Sequence, residues 1–344
     1  MPRANVRGLV TAVWFGGRMA TTLILGGTAW LGRQIAARAV AQGDDVTCLA
    51  RGSSGSVADG ATLVQADRSR PGAYDALAGT DWDAVVDVSR DPAAVADAVA
   101  VLGPRAAHWT FVSSVSVYAQ DDDPPGADES ATAVDPTDLD DYAHAKVTAE
   151  RAARAALGDR LLVARPGLVA GPGDPSDRFG YWVSRLALAD DGPVLSPVCD
   201  DRHVQVVDVR DAASWLAGAA RHGTTGTVNV VGDPVPLGDL LDEAGAVAGF
   251  RGRLVAADDD WLTEQGVDPW AGPRSLPLWL PSSCTGFFRR SNQAFRAAGG
   301  TLRPVRETLA DTLEDERARG LDRPRRAGIT RDDELDLVTR LADG

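Results

Sequence analysis

The chain has 344 residues, with 49 acidic and 35 basic side chains, a formal net charge of −14 and 44% hydrophobic residues. That acidity argues against nucleic acid and anionic membrane as main partners. The hydrophobic content marks a globular chain, long enough for one elaborated α/β domain or for two domains.

Of the 35 basic residues 34 are arginine, and the single lysine is Lys146. In a chain so biased toward arginine, a retained lysine points to a property the guanidinium lacks: a compact ammonium with a tunable pKa. The three cysteines and four histidines show no paired or metal-like spacing, so neither a disulfide framework nor a metal site is expected. No apolar run approaches the ~20 residues of a membrane span, and a cytoplasmic location is expected.

Residues 1–18 place Arg3 and Arg7 ahead of a short apolar patch, Leu9 to Phe15, with no A-x-A cleavage pattern after it. Met19 therefore reads as the natural start, and residues 1–18 as a disordered N-terminal extension. Next come an apolar run, Thr22 to Leu25, and the turn Gly26-Gly-Thr-Ala-Trp-Leu-Gly32. A helical stripe then carries Ile35, Ala36, Ala39 and Val40. Strand, glycine turn and helix together build a pyrophosphate site from free backbone N–H groups at the helix N-terminus. Gly26, Thr28, Ala29, Trp30, Leu31 and Gly32 are the candidate contacts.

A second strand, Asp45 to Ala50, ends in Arg51-Gly-Ser-Ser-Gly55. An NAD site usually offers a carboxylate here for the ribose hydroxyls. This chain offers Arg51 with Ser53 and Ser54, a set suited to a 2′-phosphate, so NADP is expected in preference to NAD. The run Ala61 to Ala66 ends at Asp67, placed either to accept from the adenine amino group or merely to cap a turn. Further strands at Asp83 to Val88 and Trp109 to Val112 flank a helix from Pro92 to Leu102. This alternation predicts an α/β fold with a Rossmann-type, doubly wound parallel sheet.

Ser113, Ser114, Ser116 and Tyr118 follow the Trp109 strand, at the end where open α/β sheets bind ligands. Tyr142-Ala-His-Ala-Lys146 opens the next helix, and positions i and i+4 share a helix face. An ammonium beside a phenol favours the phenolate, which predicts a Tyr142 pKa lowered from ~10 toward neutrality. Tyrosine then becomes a usable general acid or base.

With these residues the chain resembles an extended short-chain dehydrogenase/reductase of the NAD-dependent epimerase/dehydratase type, and an actinobacterial "reductase" subgroup within it. The carrying motifs are the glycine turn, Ser114 to Tyr118, Tyr142 with Lys146, Arg165-Pro-Gly-Leu-Val-Ala-Gly-Pro172 and Gln205-Val-Val-Asp-Val-Arg-Asp211. Gly171 to Phe179 and Arg326 to Thr330 carry the subgroup.

The resemblance implies a catalytic triad. Ser114 bonds the substrate oxygen, Tyr142 passes the proton, and Lys146 lowers the tyrosine pKa and holds the nicotinamide ribose. Ser89 and Pro166 join Lys146 as further cofactor contacts. It also implies a nucleotide domain over 19–166, rejoined by 205–231, and a smaller, irregular C-terminal substrate part over 167–204 and 232–344.

Ala29 departs from the family's middle glycine, and Asp87-Val-Ser-Arg90 replaces the usual His-x-Ala-Ala. Ser114-Val-Ser116 lacks the carboxylate of a sugar-nucleotide dehydratase. The expected activity is hydride transfer between a nicotinamide and a small carbonyl or alcohol. The alternatives are a sugar-nucleotide epimerase with transient oxidation and a non-catalytic nucleotide-sensing or RNA-binding relative. A homodimer built on the family's helices, or a monomer, is expected.

In the substrate part, Arg178, Phe179, Tyr181 and Trp182 read either as a substrate lip or as a packed cluster. Trp261, Trp270, Trp279 and Leu276 to Leu280 read as core more readily than as a lid. Asp208 and Asp211 read as structural, and Arg323 to Arg326 as a solvated tail.

Overall fold

The computed structural model describes residues 19–343, so the expected extension over 1–18 lies outside the described residues. Its frame is a seven-stranded parallel sheet. The strands are β1 (Thr21–Leu25), β2 (Asp45–Ala50), β3 (Thr62–Gln65), β4 (Ala84–Asp87), β5 (Trp109–Val112), β6 (Leu161–Pro166) and, from much later in the chain, a strand at Gly226–Val230. In space the order runs from Gly226–Val230 through β6, β5, β4 and β1 to β2 and β3. All neighbours are parallel. The order reverses between β1 and β4, and such a switch point opens a crevice beyond the carboxyl ends of the strands.

Local sequence accounts for these elements. β4, β5 and β6 are buried at every position, as strands covered on both faces must be. The helices α1 (Trp30–Ala41), α2 (Pro92–Leu102) and α3 (Tyr142–Leu157) cover the sheet. Asp91 caps α2 by accepting from the Ala93 and Ala94 N–H groups, with Pro92 at the first helical position. Asp141 caps α3 through the His144 N–H and so fixes where Tyr142 begins the helix.

The chain then builds a second core. The helices α4 (Arg178–Ala189), Leu237–Ala248 and Val305–Arg319 pack with small sheets around Phe179, Tyr181, Trp182 and Trp279, each at most 2% exposed. The packed-cluster reading therefore holds for these aromatics, and Trp261 packs partly buried on the same core. The Trp182 indole donates to the Pro277 carbonyl at 2.6 Å and the Trp279 indole to Asp259 at 2.9 Å, which anchors the Leu276 to Leu280 segment inside.

The C-terminal arginines are not a solvated tail. Arg323 and Arg325 pair with Glu316 at 3.0 and 2.8 Å, Arg323 also pairs with Asp177, and the Arg326 N–H donates to Asp177 at 2.9 Å. Buried acids at Asp177 and Glu316, both invisible to sequence periodicity, draw the segment down. Asp208 accepts from the Arg210 N–H at the start of helix Val209–Gly218 and from the Thr308 hydroxyl, and Asp211 accepts from the Arg303 N–H, in line with structural roles. Among the described residues no helix is long and apolar enough to cross a membrane.

Candidate functional site

The glycine turn at the end of β1 is shaped for close backbone approach. Gly26 has φ +105°, and a Cβ there would meet Val88 Cγ2 at 2.5 Å. A Cβ on Gly32 would lie 2.3 Å from the Gly26 carbonyl oxygen, so helix and turn pack only with glycine. Ala29 is the N-cap of α1 and tolerates its methyl, because it adopts extended backbone at φ −77°. No side chain caps that helix and no acid occupies its first turn. Its leading N–H groups and the positive end of its dipole are thus free for an anion.

A groove of about 460 Å³ runs from this turn along the ends of β1, β2, β3 and β4. Gly26, Thr28, Ala29, Arg51, Asp67 and Ser89, all singled out from sequence, line it. Trp30, Leu31 and Gly32 form the adjoining first turn of α1. The Trp30 indole reaches across to donate to the Pro172 carbonyl at 2.9 Å, tying the turn to the loop after Leu168–Ala170. Pro166 closes β6, fully buried in that strand. At the rim Arg51 has no carboxylate within ion-pair distance among the described residues. Hydrogen bonds from Ser69, and then the charges of Arg51 and Arg70, hold Asp67 below the usual carboxylate range. An uncapped helix end, a glycine cradle and a cationic rim together fit a dinucleotide.

The groove also holds Arg68, which no motif marked. Its guanidinium grips Asp87 with two bonds of 2.8 and 2.7 Å and also reaches the Ala94 carbonyl. A carboxylate in the apolar run Ala84-Val-Val-Asp87 demands such a partner, and that demand was the available signal. Arg68→Met is expected to cost about 3–5 kcal/mol, because it strands the wholly buried Asp87. Denaturant unfolding checks this, and a loss under about 1 kcal/mol would contradict it.

The groove's far end meets the Tyr142 helix. Lys146, 3% exposed, donates from Nζ to the Ser89 carbonyl at 2.8 Å and to the Val112 carbonyl at 2.7 Å. Burial pulls its pKa down to about 8, against the opposing pull of Asp87 and Glu150. Its third N–H is left for another acceptor. Ser114, at the end of β5, is 8% exposed, and its hydroxyl accepts from the Ser116 N–H at 3.1 Å and hydrogen-bonds Tyr142. Ser114, Tyr142 and Lys146 thus converge beyond the end of β5.

One expectation changes. The Tyr142 phenol stands above its ordinary value, not below it. The residue keeps 45% of its surface open to the cleft, yet protein packed around it desolvates the phenol. The Ser114 hydrogen bond and the charges of Arg178 and Arg90 only partly offset that effect. Burial outweighs those contributions, while the Lys146 Nζ donates to two carbonyls and lies 5.9 Å from the Tyr142 ring centroid.

Trp270 and Arg178 differ from the other residues of their groups. Arg178 lays its guanidinium 4.4 Å over the Trp270 ring, and its charge reaches Tyr142. Trp270 packs on Phe287, which also touches the cluster of Val115 and Tyr118 beside Ser114.

Comparisons bear on this site. The sequence model described as "NAD dependent epimerase/dehydratase family" matches residues 89–232, which span Ser114, Tyr142 and Lys146. No curated protein matches the chain. Among solved structures, a candidate epimerase of Burkholderia cenocepacia J2315 is 23% identical with a TM-score of 0.69, covering 88% of this chain and 100% of its own. A UDP-glucose 4-epimerase of Thermotoga maritima, solved with UDP-glucose, is 15% identical with a TM-score of 0.65, over 87% and 99%. The UDP-glucose 4-epimerase of Thermus thermophilus, solved with NAD, is 18% identical with a TM-score of 0.63, over 86% and 99%. At these identities the likeness is one of fold.

Proposed function

We propose that this chain, a member of the NAD-dependent epimerase/dehydratase family, is an NADP-dependent oxidoreductase acting on a small carbonyl or alcohol. The observation that carries the reading is the convergence of Ser114, Tyr142 and Lys146 at the end of a groove built for a dinucleotide. The bound nicotinamide supplies or takes up the hydride. Ser114 holds the substrate oxygen by hydrogen bond. Tyr142 gives that oxygen its proton during reduction and takes it back during oxidation. Lys146, with one N–H uncommitted, holds the nicotinamide ribose and keeps a positive charge behind the phenol.

The cofactor preference rests on Arg51, a cation with no carboxylate within ion-pair distance among the described residues, where an NAD site would place an acid. We expect at least about tenfold better kcat/KM with NADPH than with NADH, and a reversal of that preference in Arg51→Asp. Equal use of both cofactors by the wild type would contradict it.

An epimerase would use the same three side chains, and the family match admits it. The two separate in one assay. A reductase consumes reduced cofactor in step with carbonyl substrate, whereas an epimerase leaves the cofactor's absorbance unchanged over many turnovers. Net consumption supports the proposal, and interconversion of sugar-nucleotide epimers without it overturns it.

A further inference from the structure

The strongest unexplained feature near the site is the charge of Arg178. It is the first residue of α4, at the mouth of the substrate cleft. Of its guanidinium, only Nε has a partner among the described residues, the Ser176 hydroxyl at 3.3 Å. No carboxylate of the described residues lies within ion-pair distance. Asp174, the acid whose charge acts on Arg178, accepts with its two oxygens from the Ser176 N–H and hydroxyl at 2.8 and 2.9 Å. The guanidinium face rests on Trp270, and burial draws the group below the usual arginine range against the opposing charges of Asp174 and Tyr142.

The backbone on both sides of this contact is strained. Asp177, just before Arg178, has φ +61°, and Trp270 itself has φ +69°. A bulky aromatic in the left-handed region costs of order 1–3 kcal/mol and persists only where surrounding structure imposes it. Here the restraints are visible. The Asp177 carboxylate is gripped by Arg319, Arg323 and the Arg326 N–H, and the Trp270 N–H donates to the Trp279 carbonyl at 3.0 Å. Ion pairs from more than 140 residues away thus hold one end of the contact. The other end is pinned to the second core.

We propose that Arg178 is the residue that selects the substrate, by binding an anionic oxygen group, a carboxylate or a phosphate, through its two free terminal nitrogens. A planar, weakly hydrated guanidinium stacked on an aromatic face is preorganised for bidentate binding of such a group. Because its charge also reaches Tyr142, the anionic group and the reacting carbon belong to one small molecule. The partly buried rings of Trp270 and Phe287, packed edge-to-face beside Arg178, favour an apolar or aromatic body between them. This rests on the assignment of the Ser114, Tyr142 and Lys146 cleft as the substrate site.

Calorimetric titration of the NADP⁺-loaded protein tests the proposal without requiring turnover. The probes are benzoate, phenyl phosphate and the neutral isostere benzamide. We expect one of the two anions to bind at least about tenfold tighter than benzamide. The better anion identifies the group as carboxylate or phosphate. Arg178→Gln is expected to abolish the preference, and Arg178→Lys, which keeps the charge, to retain part of it. The preference is expected to survive in Tyr142→Phe, so failure of proton transfer and failure of anion recognition are distinguishable. Equal binding of all three probes, binding of none, or a preference that persists in a folded Arg178→Gln protein would overturn the proposal.

Discussion

Tyr142→Phe is expected to lower kcat/KM for carbonyl reduction by about 10²–10⁴-fold while leaving the melting temperature within a few degrees of wild type. The ring contributes little to the core, since almost half of it is exposed, and phenylalanine preserves the start of α3 capped by Asp141. Only the hydroxyl disappears, and with it the proton donor beside Ser114. The Tyr142 pKa stands above its ordinary value, so the phenol is protonated at neutral pH and ready to act as an acid. Unchanged turnover in Tyr142→Phe would remove Tyr142 from the mechanism.

Lys146→Arg is expected to cost about 100-fold or more, although elsewhere in this arginine-rich chain it would be the mildest exchange. The ammonium fits between the Ser89 and Val112 carbonyls at 2.8 and 2.7 Å, and the Phe111 ring lies 5.0 Å away. A guanidinium is too broad for that space and would push against β5 or α2. The wild type carries a pH signature as well. Its Lys146 pKa is lowered to about 8, so the charged form is present below that pH and is lost as pH rises through it. The kcat/KM measured for the dinucleotide, which reports the cofactor-free protein, is expected to fall above about pH 8. The residual activity of Lys146→Arg should lack that fall, because arginine stays charged. A flat wild-type profile to about pH 9.5 would contradict the assignment.

What was legible in the sequence was local. The turn Gly26 to Gly32 sits between a short apolar run and a helical stripe, so its backbone role could be read from its immediate neighbours. Tyr142 and Lys146 lie one helical turn apart, and Ser114 follows an apolar strand. What was not legible depends on partners far along the chain. Nothing near Asp87 announces Arg68, although an acid in an apolar strand required some cation. Arg323 to Arg326 look like a solvated basic run until Asp177 and Glu316 are brought beneath them. Phe179 and Trp182 share a segment with Arg178, and only the packing of α4 separates the core aromatics from the cation left facing the cleft. The direction of the Tyr142 shift follows from burial of the phenol, which helical spacing does not reveal. Helical spacing brings Lys146 near the phenol, but the Ser89 carbonyl, 57 residues away, decides where the ammonium points.

Under the proposed function the chain moves a hydride from its dinucleotide to a carbonyl carbon, with Tyr142 supplying the proton. The most direct measurement follows deuterium from NADPH labelled at the nicotinamide C4 into product, by mass spectrometry, in wild type and in Tyr142→Phe. The account predicts one deuterium on the new carbinol carbon in the wild-type product, and product formation slowed by about 10²-fold or more in the variant. Product free of label, or labelled product formed at the wild-type rate by Tyr142→Phe, would contradict it.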